Sequence, residues 1–302
     1  MTDGPVLRWG ILGAARISAD VIAGLQRSDV NELVAIASRD AERVHAAAAH
    51  YHIPNAVVGY DGLLRRDDID CVYIPLPNHL HGPWTQRALE AGKHVLCEKP
   101  FVADPQLAME LFTFAQIREL HLAEAFMYRH HPKTHALKHV VESGQIGDIH
   151  TIRSWFTYPA EDAASDIRFQ PSMDGGALRD VGSYPVSMCN YLLSGEPESV
   201  AALQVCDSNG VDERFYGLMR YANGVVASID CSMQSQSGYG VTVVGSSGSA
   251  TLACPWYSHK PPAYLEVDTA SGTEQIVPPG ADNAYFLETE NFADVVLNGA
   301  VP

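Results

Sequence analysis

Val6-Leu7-Arg8-Trp9-Gly10-Ile11-Leu12-Gly13-Ala14-Ala15-Arg16-Ile17-Ser18 is the stretch that decides the fold. Its first seven residues read as a buried strand and Gly13 as a tight turn. The apolar-periodic run from Ser18 to about Gln26 reads as a helix. Strand, glycine turn and helix, in that order, give a dinucleotide fingerprint its meaning. The glycines of G-x-G-x-x-G allow a tight turn, close backbone approach to a pyrophosphate and close helix packing. Here only the first is Gly13; Ala15 and Ser18 stand at the other two positions. Both are small, and the helix start still offers N–H groups to phosphate. Alone, the turn also fits an ordinary strand-to-helix connection.

The next segments continue the alternation. The strand Leu33–Ala37 ends at Ser38-Arg39, 25 or 26 residues after Gly13, where an NAD-specific site carries a carboxylate for the ribose 2′-OH. A hydroxyl followed by a guanidinium suits a 2′-phosphate instead, so the expected cofactor is NADP(H), with NAD(H) bound more weakly. Asp40 caps a helix from Ala41 to about His52, a short helix lies near Tyr60–Arg65, and the strand Cys71–Ile74 runs into Pro75-Leu76-Pro77-Asn78-His79-Leu80-His81. The prolines make this a stiff loop at a carboxyl strand end. Asn78, His79 and His81 have no partner at metal-like spacing, so capping or cofactor contact is expected and no metal. The strand His94–Cys97 then reaches Glu98-Lys99-Pro100, on the side where open α/β sheets bind ligands.

With 302 residues the chain has room for two domains, and the pattern divides it into 1–124 and 125–302. The formal charge of −16 argues against nucleic-acid or anionic-membrane partners, which demand basic patches. Six scattered cysteines without a C-x-x-C pair suggest reduced thiols. The N-terminal residues lack a signal-peptide pattern and no apolar run is long enough to span a bilayer, so a soluble cytoplasmic protein is expected.

Asp104 caps a helix through about Arg118, and His121–Met127 leads into the second half. His131, His135 and His139 fall at helical spacing and read as a solvated stripe beside Leu137, Val140 and Val141. Strands then dominate: 147–158, 199–206, 215–221, 225–232, 240–245, 250–254, 265–269 and 274–277, with turn signals at Ala222-Asn223-Gly224 and Ser246-Ser247-Gly248. A large, mostly antiparallel open sheet follows. The expected class is therefore α/β: an N-terminal Rossmann parallel sheet and a C-terminal α+β domain on that second sheet.

The stretch 175–193 breaks helix rules, because Gly182 and Pro185 interrupt an apolar period. Asp180 and Tyr184, four apart, share a helical face there, and local rule-breaking beside polar residues marks a functional region. Oxidising an alcohol requires a base. A free phenol ionises at about 10, so Tyr184 needs a nearby cation, and Lys99 can supply it. The expected roles are Tyr184 as acid/base, Lys99 as electrostatic partner, and Asp180 as the group that positions substrate hydroxyls or Lys99.

These motifs together resemble the Gfo/Idh/MocA oxidoreductases: G-I-L-G-A-A-R-I from Gly10, Ser38-Arg39, Y-I-P-L-P-N-H-L-H at 73–81, E-K-P at 98–100, E-A-F-M-Y-R-H-H-P at 124–132, I-R-F at 167–169 and G-G-A-L-R-D-V-G-S-Y-P at 175–185. The nearest branch is that of NADP-dependent sugar 1-dehydrogenases and dimeric dihydrodiol dehydrogenases. The resemblance implies that Glu98 holds the nicotinamide ribose and that Lys99 is catalytic. It implies cofactor contacts at Gly13, Ala15, Arg16, Ile17, Ser38, Arg39, Leu76, Asn78, His81, Glu98, Lys99 and Arg168. The implied substrate is a sugar, polyol or dihydrodiol. The implied assembly is a homo-oligomer, dimer or tetramer, through the C-terminal sheet. A keto-sugar (nucleotide-sugar) ketoreductase or a non-catalytic NADP(H) sensor fits the same motifs. Two departures stand out. Asp174 replaces a usual glycine, adding a carboxylate. The chain also stops at Val301-Pro302, so the family's last helix, which packs on the first domain, is expected to be cut short or to lack that contact.

Overall fold

The computed structural model describes residues 4–161, 166–257, 260, 264–280 and 283–300. Met1–Asp3 and Val301–Pro302, which enter the readings of the two chain ends, lie outside them. Two compact units form: Met1–Met127 with Tyr285–Pro302, and Tyr128–Ala284.

The first unit holds strands β1 (Leu7–Leu12), β2 (Asn31–Ser38), β3 (Asn55–Val58), β4 (Cys71–Ile74), β5 (His94–Glu98) and β6 (Leu122–Ala125). They pair in parallel in the order β3-β2-β1-β4-β5-β6. The chain reverses direction across the sheet between β1 and β4, the switch point where such folds bind ligands. The helices here are α1 (Ser18–Arg27), α2 (Ala41–His50), α3 (Tyr60–Leu64), α4 (His81–Glu90) and α5 (Pro105–Ile117). The second unit holds α6 (Pro132–Ser143) and α7 (Ser183–Leu193), and α8 (Ala284–Asn298) rejoins the first. The strands read as continuous apolar runs because the sheet is covered on both faces. One face packs Leu63, Leu64, Ala88, Leu89, Leu111 and Ala115. The other packs Val21, Ile22, Leu25, Val44, Phe292 and Ala293.

Helix α8 joins the first unit, so residues 125–302 do not all belong to the second. Phe292 lies 5.0 Å from the Trp9 ring and 4.8 Å from His121. Asn31 donates to Glu290 at 3.0 Å, and Ser28 donates to the same carboxylate. A Cβ on Gly24 would stand 3.0 Å from the Phe286 backbone, so glycine lets α1 and α8 approach closely. Glu288 and Thr289 are buried on the same inner face, which breaks the apolar stripe that marks a helix in sequence.

The second unit is an eight-stranded sheet ordered β14-β13-β12-β11-β7-β10-β9-β8. Its strands are β7 (Ile149–Pro159), β8 (Ser199–Cys206), β9 (Asp212–Arg220), β10 (Val226–Ser232), β11 (Gln234–Gly245), β12 (Gly248–Leu252), β13 (Leu265–Thr269) and β14 (Gly272–Ile276). Only β7 and β10 pair in parallel. One face, carrying Met219, Ala227, Ile229 and Cys231, is buried; the other leaves Leu203, Tyr216, Leu218 and Val226 exposed.

Of the three aligned histidines, His135 and His139 are exposed as expected. His131 is not: it is buried and its Nδ1 accepts from the Lys133 N–H at 3.2 Å, capping α6.

Candidate active site

In the first unit the candidate residues gather at the carboxyl ends of β1, β2, β4 and β5. Gly13 sits at φ +126°, a conformation that L side chains rarely adopt, and a Cβ there would lie 3.0 Å from Leu76. No side chain caps the start of α1, which follows Ile17. Open backbone and an uncapped helix start fit a pyrophosphate, so the turn passes as a dinucleotide cradle.

At the end of β2, Arg39 is exposed, while Ser38 is buried and its Oγ accepts from the Asp40 N–H at 3.2 Å. Asp40 in turn accepts from the Arg43 N–H at 2.9 Å, the expected cap. The Arg43 guanidinium donates to the Ala14 carbonyl at 2.6 Å, spanning from α2 to the glycine turn. The sequence reading missed it. Its one local signal is its position in the first turn of the helix after Ser38-Arg39.

Past β4, His81 is fully buried between the carbonyl oxygens of Pro100 (Nδ1, 2.8 Å) and Leu76 (Nε2, 2.7 Å). Burial pulls its pKa down. One N–H of the neutral ring donates to one of these carbonyls, and the buried ring packs between the loop after β4 and the loop after β5. It serves as a strut beneath the site, which corrects the expected direct cofactor contact. Glu124 on β6 adds a second tie by accepting from the Phe101 N–H at 2.9 Å. Between these ties the Glu98 carboxylate accepts from the Tyr73 hydroxyl at 2.7 Å and from the Lys99 N–H at 3.2 Å. Burial, then the Glu98 charge, raises the Tyr73 pKa well above normal, so Tyr73 stays a donor. Lys99 and Asn78 are half-buried at the same strand ends.

In the second unit the rule-breaking stretch resolves into a π-helical turn, Leu178–Gly182, followed by α7. Such one-turn insertions occur frequently at functional sites. Pro185 is the third residue of α7, directly after the π-turn. A Cβ on Gly182 would come 2.7 Å from the Cys231 sulfur on β10. The Asp212 carboxylate accepts from the Leu178 N–H at 2.8 Å and pins the start of the turn.

The π-turn carries Asp180, whose carboxylate accepts from the Tyr158 hydroxyl at 2.8 Å and pairs with Arg168 Nε at 3.1 Å. The Asp180 charge raises the Arg168 pKa further, and burial does the same for Tyr158. Arg168 is shared with Asp166 at 3.1 Å. Tyr158 is a site residue the sequence reading missed, since its partner lies 22 residues away. Tyr184, in the first turn of α7, packs among Phe156 (5.5 Å), Trp256 (5.5 Å) and Tyr128 (5.8 Å). Lys133 Nζ donates to the carbonyls of Cys254 and Tyr257, both at 2.5 Å, and holds the Trp256 loop. Burial brings that lysine down to about 8. Asp174 adopts φ +56°, which explains the glycine usual there, and it pairs with Arg179 at 3.2 Å.

Residues 7–126 match the model of the oxidoreductase family with an NAD-binding Rossmann fold, and residues 134–251 match the GFO/IDH/MocA C-terminal domain. The chain belongs to the Gfo/Idh/MocA oxidoreductase family. Among its relatives is a dTDP-3,4-didehydro-2,6-dideoxy-alpha-D-glucose 3-reductase from Streptomyces violaceoruber, 39% identical over 92% of this chain and 82% of the relative. Another is a D-xylose 1-dehydrogenase (NADP(+)) from Haloferax volcanii, 37% identical over 98% and 91%. A solved 3-ketoreductase from Actinomadura kijaniata, in complex with NADP and TDP-benzene, superposes with a TM-score of 0.90 at 33% identity, over 98% of this chain and 91% of that one. Among the described residues no helix is long and apolar enough to cross a membrane.

Proposed function

We propose that this Gfo/Idh/MocA member is an NADP(H)-dependent dehydrogenase/reductase acting on a carbinol or lactol carbon of a sugar, polyol or dihydrodiol. The observation that carries the cofactor reading is the Gly13 turn, an open backbone that the Arg43 guanidinium reaches at the Ala14 carbonyl, with Ser38 and Arg39 at the end of the neighbouring strand β2. A 2′-phosphate suits such donors, and the NADP named for the xylose dehydrogenase and bound in the ketoreductase supports it. Bound NADP(H) supplies or accepts hydride at nicotinamide C4. Glu98, held by Tyr73 and the Lys99 N–H, takes the nicotinamide ribose. Leu76, Asn78, Ala15, Arg16 and Ile17 line the cofactor, and His81 supports that lining.

In the oxidative direction Tyr184 accepts the substrate hydroxyl proton as hydride leaves carbon, and in reduction it returns that proton. Lys99 stabilises the phenolate and orients the substrate oxygen. Asp180, braced by Tyr158 and Arg168, positions substrate hydroxyls. The exposed apolar row Leu203, Tyr216, Leu218 and Val226 supports pairing of this sheet with a second copy.

The second reading is a ketoreductase acting on a nucleotide-linked keto-sugar, favoured by the 39% relative and the TDP ligand of the solved neighbour. Initial rates of NADP⁺ and NAD⁺ reduction across aldoses, polyols and dihydrodiols, beside NADPH oxidation with dTDP-keto-sugars, separate the two. Turnover of free sugars or diols with NADP⁺ preference is expected. Turnover confined to dTDP-keto-sugars moves the assignment to the second reading. Tight NADPH binding without turnover on any of them leaves a sensor.

A further inference from the structure

Glu288 on α8 is an acid with no assigned task. Its residue exposure is 2%, and neither carboxyl oxygen has a hydrogen-bond partner among the described residues. A bare ionised carboxylate in such a place is prohibitively costly, so the group either stays protonated or finds a polar partner. Burial, then the Glu98 charge, does push its pKa well above 4.5. Tyr73 shares a core cluster with Phe292 and Ala293 of α8, and Tyr285 packs against that cluster. Tyr73 on β4 feels Glu98, Glu288 and Tyr285 in turn. Tyr285 lies one helical turn before Glu288 on α8. The Tyr73 hydroxyl spends its proton on Glu98 Oε1, which leaves its oxygen free to accept.

We propose that Glu288 is a positioning residue for Glu98: a neutral acid that passes a hydrogen bond through one buried water to the Tyr73 hydroxyl, and so fixes the Glu98 carboxylate for the nicotinamide ribose. A water with two or more polar partners is the ordinary way to satisfy a buried acid. A donor that itself accepts a hydrogen bond becomes a better donor, so the relay strengthens the bond from Tyr73 to Glu98. The inference rests on the proposed role of Glu98 at the ribose. It explains why α8, remote in sequence, carries an acid on its inner face, where Phe292 and Ala293 are apolar.

The test compares calorimetric binding of NADP⁺ with that of 2′,5′-ADP, which lacks the nicotinamide ribose. Glu288→Leu and Tyr73→Phe are each expected to weaken NADP⁺ about threefold to tenfold, the loss of one polar contact. The double variant should be no weaker than the worse single one, 2′,5′-ADP should bind as to the parent, and Glu288→Gln, which can still donate and accept, should restore NADP⁺ affinity. An infrared carbonyl band of a protonated acid, present at neutral pH and lost in Glu288→Gln, reports the protonation directly. Equal weakening of both ligands by Glu288→Leu and Tyr73→Phe, no weakening by either, or absence of that band overturns the proposal. Glu98→Ala separates the two levels. If it weakens NADP⁺ while Glu288→Leu does not, this proposal fails and the ribose reading stands; if it leaves NADP⁺ binding intact, both fall.

Discussion

Two short departures from regular backbone, the Gly13 turn in the first unit and the π-turn Leu178–Gly182 in the second, are built on opposite plans. At Gly13 the backbone is the working part and side chains are kept out: φ is +126°, Leu76 leaves no easy room for a Cβ, and α1 starts without a cap. At the π-turn the backbone is the servant. It is pinned by Asp212 and by the close approach of Gly182 to Cys231, and it delivers Asp180 into a hydrogen bond with Tyr158 and an ion pair with Arg168. The first plan suits a ligand read by its phosphates, the second one read by its hydroxyls.

The contrast breaks most visibly at Tyr184. Tyr184→Phe is expected to lower kcat about a hundredfold to ten-thousandfold while NADP⁺ affinity stays close to the parent, as for removal of a general acid/base. Parent-like turnover by this variant would sink the assignment. Gly13→Val should do the reverse. Strain at a positive φ, about 1–3 kcal/mol, should weaken NADP⁺ about tenfold to a hundredfold, with kcat at saturating cofactor little changed. A Gly13→Val enzyme that binds normally but turns over slowly would show that the two plans had been assigned to the wrong turns.

Asp180→Asn should cost stability as well as rate, because Arg168 loses one of its two carboxylates and Tyr158 a charged acceptor. Roughly 1–2 kcal/mol is expected for a pair this partly exposed, read as a lower Tm. The smallest effect is a pH dependence to which each unit contributes one histidine. Burial brings His121 in the first unit and His130 in the second down to about 4 from 6.5, so both are neutral in the fold. The unfolded chain takes up those protons first. Stability present above about 6.5 is therefore lost as the pH falls toward 4. Glu288 works the other way: raised from 4.5, it contributes stability at low pH that fades as the pH rises toward its folded value. Tm against pH for His121→Gln, His130→Gln and Glu288→Gln should flatten the acid limb in the first two and the fall toward alkaline pH in the third.

The parallel sheet was legible where an apolar run leads toward a helix with a readable cap, as at Asp40 and Asp104; the short, half-buried β3 went unread. Strands of the second sheet were legible from alternation, and the span 199–206 agrees residue for residue. At the candidate site, Lys99, Asp180 and Tyr184 stand out locally, by position at a strand end or by broken helix rules. Tyr73, Tyr158 and Arg43 do not, because their roles come from partners on other elements. His81 misled for the same reason: a histidine in a ligand-side loop looks available until the carbonyls of Leu76 and Pro100 are seen on either side. Helix α8 escaped because Glu288 and Thr289 occupy positions where a buried helix face ordinarily shows leucine.

The first unit takes α8 from residues that follow the whole second unit in sequence, and this dictates an order of assembly. A chain leaving the ribosome exposes Trp9, Gly24 and Asn31 to solvent until α8 has been made, while the whole of the second unit is synthesised in between. Domains that wait in this way present uncovered apolar surface to chaperones and proteases.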